Sequence, residues 1–402
     1  LGVGKNRSVE LSIGTVFLSK RRLIDEVGDP RMNELFSLAR LLVGLFVPIA
    51  IVLIVGNNIP LPGIDPAFIA RQSSGSSGFP ERLSLMALGL TPILNAFAIG
   101  EIGRLLFPKQ AGPAIVTGST APWATILVRA IALSIAALQG YGVAVAMQAA
   151  GAAPPEAWTF VSTITLSVVA STAILIWLSD RIQLKGLRHG FWLLWSATFF
   201  LAFAENLHSS IEETKAGTMP LLNWLLNAVY ICAAVAAVVA VNLHWLKTLE
   251  ADDKSPHGQG VDVLSIFVWP IFLASYVGGY LLMILLLLIP STWLPPQSTT
   301  EIIALLTAAA LTPIFVFGYA RLHLKEIQEP SQKATAVLSA AAVVAAMETV
   351  LFLLGIVLGR VANLPVSLNG ILLIVLTTTF LAIARSKIAG SEERLVALTN
   401  AA

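Results

Sequence analysis

Charge is scarce in this sequence. Asp, Glu, Lys and Arg make up 12% of its 402 residues while apolar residues make up 56%, and no domain with a water-facing surface is built from that mixture. Cysteine is almost missing: Cys232 is the only one, which excludes an intrachain disulfide and a cysteine-based metal cluster. Alternation of apolar and polar residues is missing as well, because the apolar runs are continuous, and that excludes a membrane β-barrel. Neither sign of charge dominates. A formal net charge of +2, with no basic block set apart from the apolar runs, argues against nucleic acid as a partner. No glycine-rich nucleotide loop, nucleophile triad or zinc pattern is present, so no enzyme activity, cofactor or metal is expected. His208, Glu212 and Glu213 follow the fifth apolar run without a ligand-like spacing and read as a solvated face. A cleavable leader is not expected either, since the polar stretch before Phe36 is too long for the charged start of one.

What the sequence has is apolar length. A membrane helix needs about 20 apolar residues to cross about 30 Å of hydrocarbon. Ten such spans fit, at 36–55, 84–106, 121–145, 157–179, 190–206, 221–246, 263–289, 300–320, 335–358 and 366–384. The fold class is therefore all-α, a polytopic membrane protein. If the N-terminus is cytoplasmic, every Lys and Arg falls on that side except Arg71, Arg82, Lys215 and Arg360. The positive-inside bias thus predicts both termini in the cytoplasm and a home in the cytoplasmic (inner) membrane. An even number of spans also divides into two five-helix halves of opposite topology, compatible with an inverted repeat around a central pathway. The expected organisation is a cytoplasmic amphipathic segment at 1–35, halves at 36–206 and 221–384 joined by an external hinge loop at 207–220, and a cytoplasmic tail at 385–402. Residues 9–24, with Lys20, Arg21 and Arg22, suit a helix lying on an anionic leaflet.

Five segments are less generic. Ile59-Pro60-Leu61-Pro62-Gly63-Ile64-Asp65 follows the first span, where two prolines two apart force an extended turn that reads by itself as an exposed loop. Ala87-Leu88-Gly89-Leu90-Thr91-Pro92-Ile93-Leu94-Asn95-Ala96 lies in the second span, and its glycine and helix-interior proline permit a bent or broken helix. Gln139-Gly140-Tyr141-Gly142 stands in the third span downstream of Arg129. The fourth ends in Thr172-Ala173-Ile174-Leu175-Ile176-Trp177-Leu178-Ser179-Asp180-Arg181-Ile182, followed by Lys185-Gly186-Leu187-Arg188-His189-Gly190. The seventh holds Trp269-Pro270-Ile271-Phe272-Leu273-Ala274-Ser275. In this order and on these spans, the five segments resemble the SecY family over residues 35 to about 280, and the last three spans agree with it in position and length.

The resemblance implies an hourglass of ten helices in two pseudo-symmetric halves, closed at its waist by a ring of apolar side chains. It places that ring at Leu90, Leu94, Trp195, Phe199, Trp269 and Ile374, and a lateral gate between the second and seventh helices at Asn95, Glu101, Gln139 and Ser275. An apolar constriction resists ions by dewetting and offers a passing peptide no side-chain hydrogen bonds. The implied function is a protein-conducting channel for translocating polypeptides and signal sequences, with small SecE-like and SecG-like membrane subunits as partners. Two departures bear on mechanism. The connection from Lys247 to Asp262 carries Glu250, Asp252 and Asp253, and the one from Arg321 to Ala334 is short, so docking of a ribosome is not expected and that of a SecA-type motor is doubtful. The segment from Pro66 to Arg82, with its Ser73-Ser74-Gly75-Ser76-Ser77-Gly78 run, is a poor former of a plug helix. Competing readings are a secondary transporter or flippase, favoured by Glu348 in mid-span, and a scaffold that binds membrane helices without opening. For Glu348 itself, a proton or ion site stands against a plain contact with a neighbouring helix; Arg129 reads as snorkelling at the cytoplasmic end of its span.

Overall fold

A backbone N–H or C=O in lipid has no water to bond, so an apolar run satisfies its own backbone by folding as a helix. The computed structural model describes residues 47–56, 58–65, 68, 84–86, 88–107, 122–152, 158–182, 190–250, 263–290, 295–327, 331–362, 364–366 and 368–401. The amphipathic segment expected at 1–35, the connection at 251–262 and the plug region, apart from Phe68, lie outside the described residues. The chain forms two units, Leu1–Val47 and Pro48–Ala402. The second holds α1, helical residues 48–50 passing into a π-helical turn at Ile51–Gly56. It continues with α2 (Thr91–Leu106), α3 (Pro122–Ala149), α4 (Trp158–Arg181), α5 (Phe191–Lys215) and α6 (Leu221–Glu250). The seventh span is in two pieces, α7a (Val263–Phe267) and α7b (Trp269–Leu288), followed by α8 (Gln297–Ile327), α9 (Ser331–Val361) and α10 (Gly370–Ala401). Among the described residues, α3, α4, α6, α7b, α8 and α9 are long and apolar enough to cross a membrane, and α10 adds the shorter apolar stretch Gly370–Arg385.

Four features differ from the hydropathy reading, each for a local reason. The second span is helical only from Thr91, because Gly89 sits at φ +51° in a turn and Pro92 is tolerated in the first turn, where its missing N–H has no partner to lose. Pro92 is therefore not a helix-interior proline. The seventh span breaks at Val268, since Pro270 brings no N–H to the ladder and crowds the preceding turn. The fifth helix runs well past residue 206: nothing in 205–215 breaks a helix, and termination waits for Gly217 at φ +75°, with Thr218 and Met219 N–H donating to the Glu213 carbonyl. His208, Glu212 and Glu213 thus lie on α5 and not in a loop, and the hinge shortens to residues 216–220. Helix α10, finally, continues through the residues assigned to a tail.

In the Pro-Leu-Pro-Gly segment Pro60, Pro62 and Gly63 are exposed, as an outer loop should be, while Leu61 points inward. Pro60 forms an antiparallel bridge with Ser84, Leu85 N–H donates to the Ile59 carbonyl at 2.7 Å, and Asp65 N–H donates to Ala152 at 3.2 Å. Leu61, Ile64 and Phe68 are buried with Ala136, Ala144, Phe160, Ile164 and Val168 of α3 and α4. Gly63, at φ +85°, supplies the turn that lets the chain fold down onto those helices.

Within α1–α5, the main packing is α3 against α2 and α4. Within α6–α10 it is α8 against α7b and α9, and α6 against α9 and α10. The two sets meet along two seams, α2 against α7b and α8 on one side and α5 against α10 on the other.

Candidate functional site

Seven aromatic rings drawn from three helices form one cluster. On α5, Trp192, Trp195 and Phe199 follow i, i+3, i+7 spacing and so share one face. On α7b, Trp269 and Phe272 do the same, and the break at Val268 is what starts a helix at Trp269. Ring centroids of Trp195 stand 4.5 Å from Phe199, 5.0 Å from Phe272 and 6.1 Å from Trp192. Trp192 stands 5.2 Å from Trp269 and 5.1 Å from both Phe272 and Phe191. Phe97 of α2 closes the set, edge-on to Phe191 at 5.1 Å and to Trp269 at 6.4 Å. Such pairs are each worth about 0.5–1.5 kcal/mol beyond their burial, so the cluster ties α2, α5 and α7b together without one directional bond.

Three of the ring residues read from the sequence, Trp195, Phe199 and Trp269, are brought together here through Trp192 and Phe272. Leu94 is buried on α2 one helical turn before Phe97. Leu90 is buried at the residue that caps α2, and Ile374 is buried on α10. Sequence reasoning missed Phe97, Phe191, Trp192 and Phe272. Phe191 and Trp192 sit beside the matched segment that ends at Gly190, and the apolar clustering of Phe191-Trp192 with Trp195 and Phe199 was the available signal.

The polar gate residues behave differently from one another. Asn95 is buried on α2 and its Oδ1 has no hydrogen-bond partner among the described residues, as is true of Oε1 of Gln139 on α3. Ser275 Oγ donates to the Ile271 carbonyl of its own helix at 2.9 Å. These three therefore make no cross-helix bond to one another. Glu101 does cross: its Oε2 accepts from the Tyr319 hydroxyl of α8 at 2.8 Å, and it pairs with Arg104 one turn on at 3.5 Å. Arg104 in turn lies over the Tyr319 ring, 5.5 Å from its centroid. All three side chains are buried, with Glu101 at 0% exposure, Tyr319 at 2% and Arg104 at 6%.

Two further readings meet the geometry. Arg129 has a partner, Asp180 of α4, at 2.7 Å, with both side chains partly exposed, and the pair borders a cleft lined by Ile93, Phe97 and Val128. Glu348 is fully buried in the middle of α9, and neither carboxyl oxygen has a hydrogen-bond partner among the described residues. No group of His, Cys, Asp and Glu arranged to hold a metal ion occurs among the described residues.

Among the described residues the elements are helices, six of them long and apolar enough to cross a membrane, and this defines a polytopic all-α membrane protein. The same fold occurs in a solved structure described as the structure of a protein conducting channel, at a TM-score of 0.50 and 12% identity, covering 87% of this chain and 92% of that one. The family model for SecY matches residues 84–338, and the chain belongs to the SecY family. The protein translocase subunit SecY of Escherichia coli (strain K12) is 28% identical over 207 residues, 48% of this chain and 47% of that protein. That of Pseudomonas aeruginosa is 24% identical over 244 residues, 56% of this chain and 52% of its own length. The chain thus spans about half the length of the curated relatives it matches.

Proposed function

We propose that this protein is a protein-conducting channel that moves polypeptides across the cytoplasmic membrane or releases apolar segments into it. The observation that carries the reading is the aromatic cluster: the rings of α2, α5 and α7b converge in a chain of the SecY family. Leu90, Leu94, Trp195, Phe199, Trp269 and Ile374 form the constriction, joined by Phe97, Trp192 and Phe272. Apolar rings exclude ions by dewetting, yet they part for a peptide without exchanging hydrogen bonds. The seam of α2 with α7b and α8 is the lateral gate, and Asn95, Glu101, Gln139 and Ser275 border it. Both termini are cytoplasmic by the positive-inside bias. Small single-span SecE-like and SecG-like subunits brace the halves, and energy comes from a separate motor or the membrane potential.

Ion conductance in planar bilayers tests the constriction. Trp195→Gly and Trp269→Gly each remove a ring that holds others in place, and both variants are expected to leak ions where the parent is tight. Deleting residues 72–78, in the plug region, is expected to change little. A tight Trp195→Gly channel beside a leaking deletion would move the seal from the waist to the plug.

A further inference from the structure

The buried contact between α2 and α8 has a property that a neutral hydrogen bond across a seam lacks. Glu101 and Arg104 are three residues apart on the same helix, so their ion pair travels with α2 wherever α2 goes. Tyr319 belongs to α8, a helix 218 residues later in the chain, and it touches both members of the pair: its hydroxyl donates to Glu101, and its ring faces Arg104. The two helices come close at this level, where Leu105 Cδ2 lies 3.4 Å from the place a Cβ would occupy on Gly318. Parting α2 from α8 therefore breaks the contacts of Tyr319 while the two charges keep one another. A pair split between the helices would instead leave two lone charges in an apolar seam, at a cost that would weld the seam shut.

We propose that Tyr319 is the α8 half of a latch that holds α2 closed, its α2 half being an ion pair already neutralised so that the latch is strong enough to keep the seam shut and cheap enough to release. This rests on the reading of that seam as the lateral gate and adds a residue outside every matched motif to its working parts. Substitutions separate the roles. Tyr319→Phe deletes the hydroxyl and keeps the ring, whereas Glu101→Gln or Arg104→Gln leaves a lone buried charge and disturbs the fold as well.

The test uses the full chain in nanodiscs, with Cys232→Ser and spin labels at the exposed positions Leu106 of α2 and Arg321 of α8, reading the α2–α8 distance distribution. Loss of one hydrogen bond to a buried charged group corresponds to about a tenfold rise in the separated population for Tyr319→Phe. Tyr319→Ala, which also removes the ring over Arg104, should go further. Ion conductance is recorded in parallel on the parent, Tyr319→Phe and Trp195→Gly. A longer distance together with raised conductance in Tyr319→Phe supports the latch. An unchanged distance in Tyr319→Phe overturns it, even where Trp195→Gly leaks and the channel reading stands. A longer distance with no conductance in either variant means that α2 and α8 flank no pore, which overturns the proposed function and the latch with it.

Discussion

Glu348 shows how strongly a single residue is constrained in this setting. It is fully buried halfway along α9, and helices α6, α8 and α10 all pack against α9. A permanent charge at such a depth costs about 2.5–3.5 kcal/mol on insertion scales. An amide matches the carboxyl in size and needs no counter-charge. Glu348→Gln is therefore expected to hold thermal stability within about 1 kcal/mol of the parent, while Glu348→Lys loses most of the folded, membrane-inserted protein. Purified yield and melting in detergent check this, and a stable Glu348→Lys variant beside an unstable Glu348→Gln one would contradict it. Other residues gained meaning only from their partners. Glu101 could be singled out from its place in the second span, but 218 residues separate it from Tyr319, and no spacing rule connects side chains over that distance. Asp180 was legible as part of a matched segment, yet its pairing with Arg129 was not, for the same reason.

Elements were read best where hydropathy alone decides them. Helices α3, α4, α6, α8 and α9 cover the apolar runs that called for them, because a long run in lipid has no other way to satisfy its backbone. The misreadings fall where local chemistry overrides hydropathy. Polar residues in 205–215 signal an exit from the membrane without ending a helix, and Pro270 breaks an apolar run that hydropathy treats as continuous. The Pro-Leu-Pro-Gly segment was placed correctly after the first span and is exposed at Pro60, Pro62 and Gly63, but the burial of Leu61 and Ile64 was not legible, since two prolines describe a bend and not what the bend packs against. The connections also carry a prediction. Helices α8 and α9 are separated by residues 328–330 alone, and the connection after α6 contains Asp252 and Asp253. A ribosomal surface is polyanionic, so attraction to these segments is weak. Cosedimentation with empty ribosomes should find little binding at physiological salt, and a tight complex that dissolves as salt rises would contradict this.

At the scale of the whole molecule, the arrangement turns on two seams that differ in kind. The seam of α5 with α10 lies beside the short hinge between α5 and α6. There Ser210 of α5 donates to the carbonyl of Pro365, in the connection that leads into α10. The opposite seam is held by Phe97 against Trp269 and by Tyr319 against the Glu101–Arg104 pair. One side is tied by a side chain to backbone and the other is closed by contacts that part without stranding a charge, which suits a molecule opening toward α2. The all-helical, membrane-spanning class was legible from the apolar runs, whereas the aromatic cluster was legible only in part, since aromatic residues fill membrane interiors of every function. The central claim is that polypeptides pass Leu94. A photo-crosslinking amino acid placed at Leu94 in living cells, with the captured species identified by mass spectrometry, tests it directly. Capture of exported or membrane polypeptides in the act of crossing is the expected result, and capture of lipid or of the protein's own helices alone would contradict it.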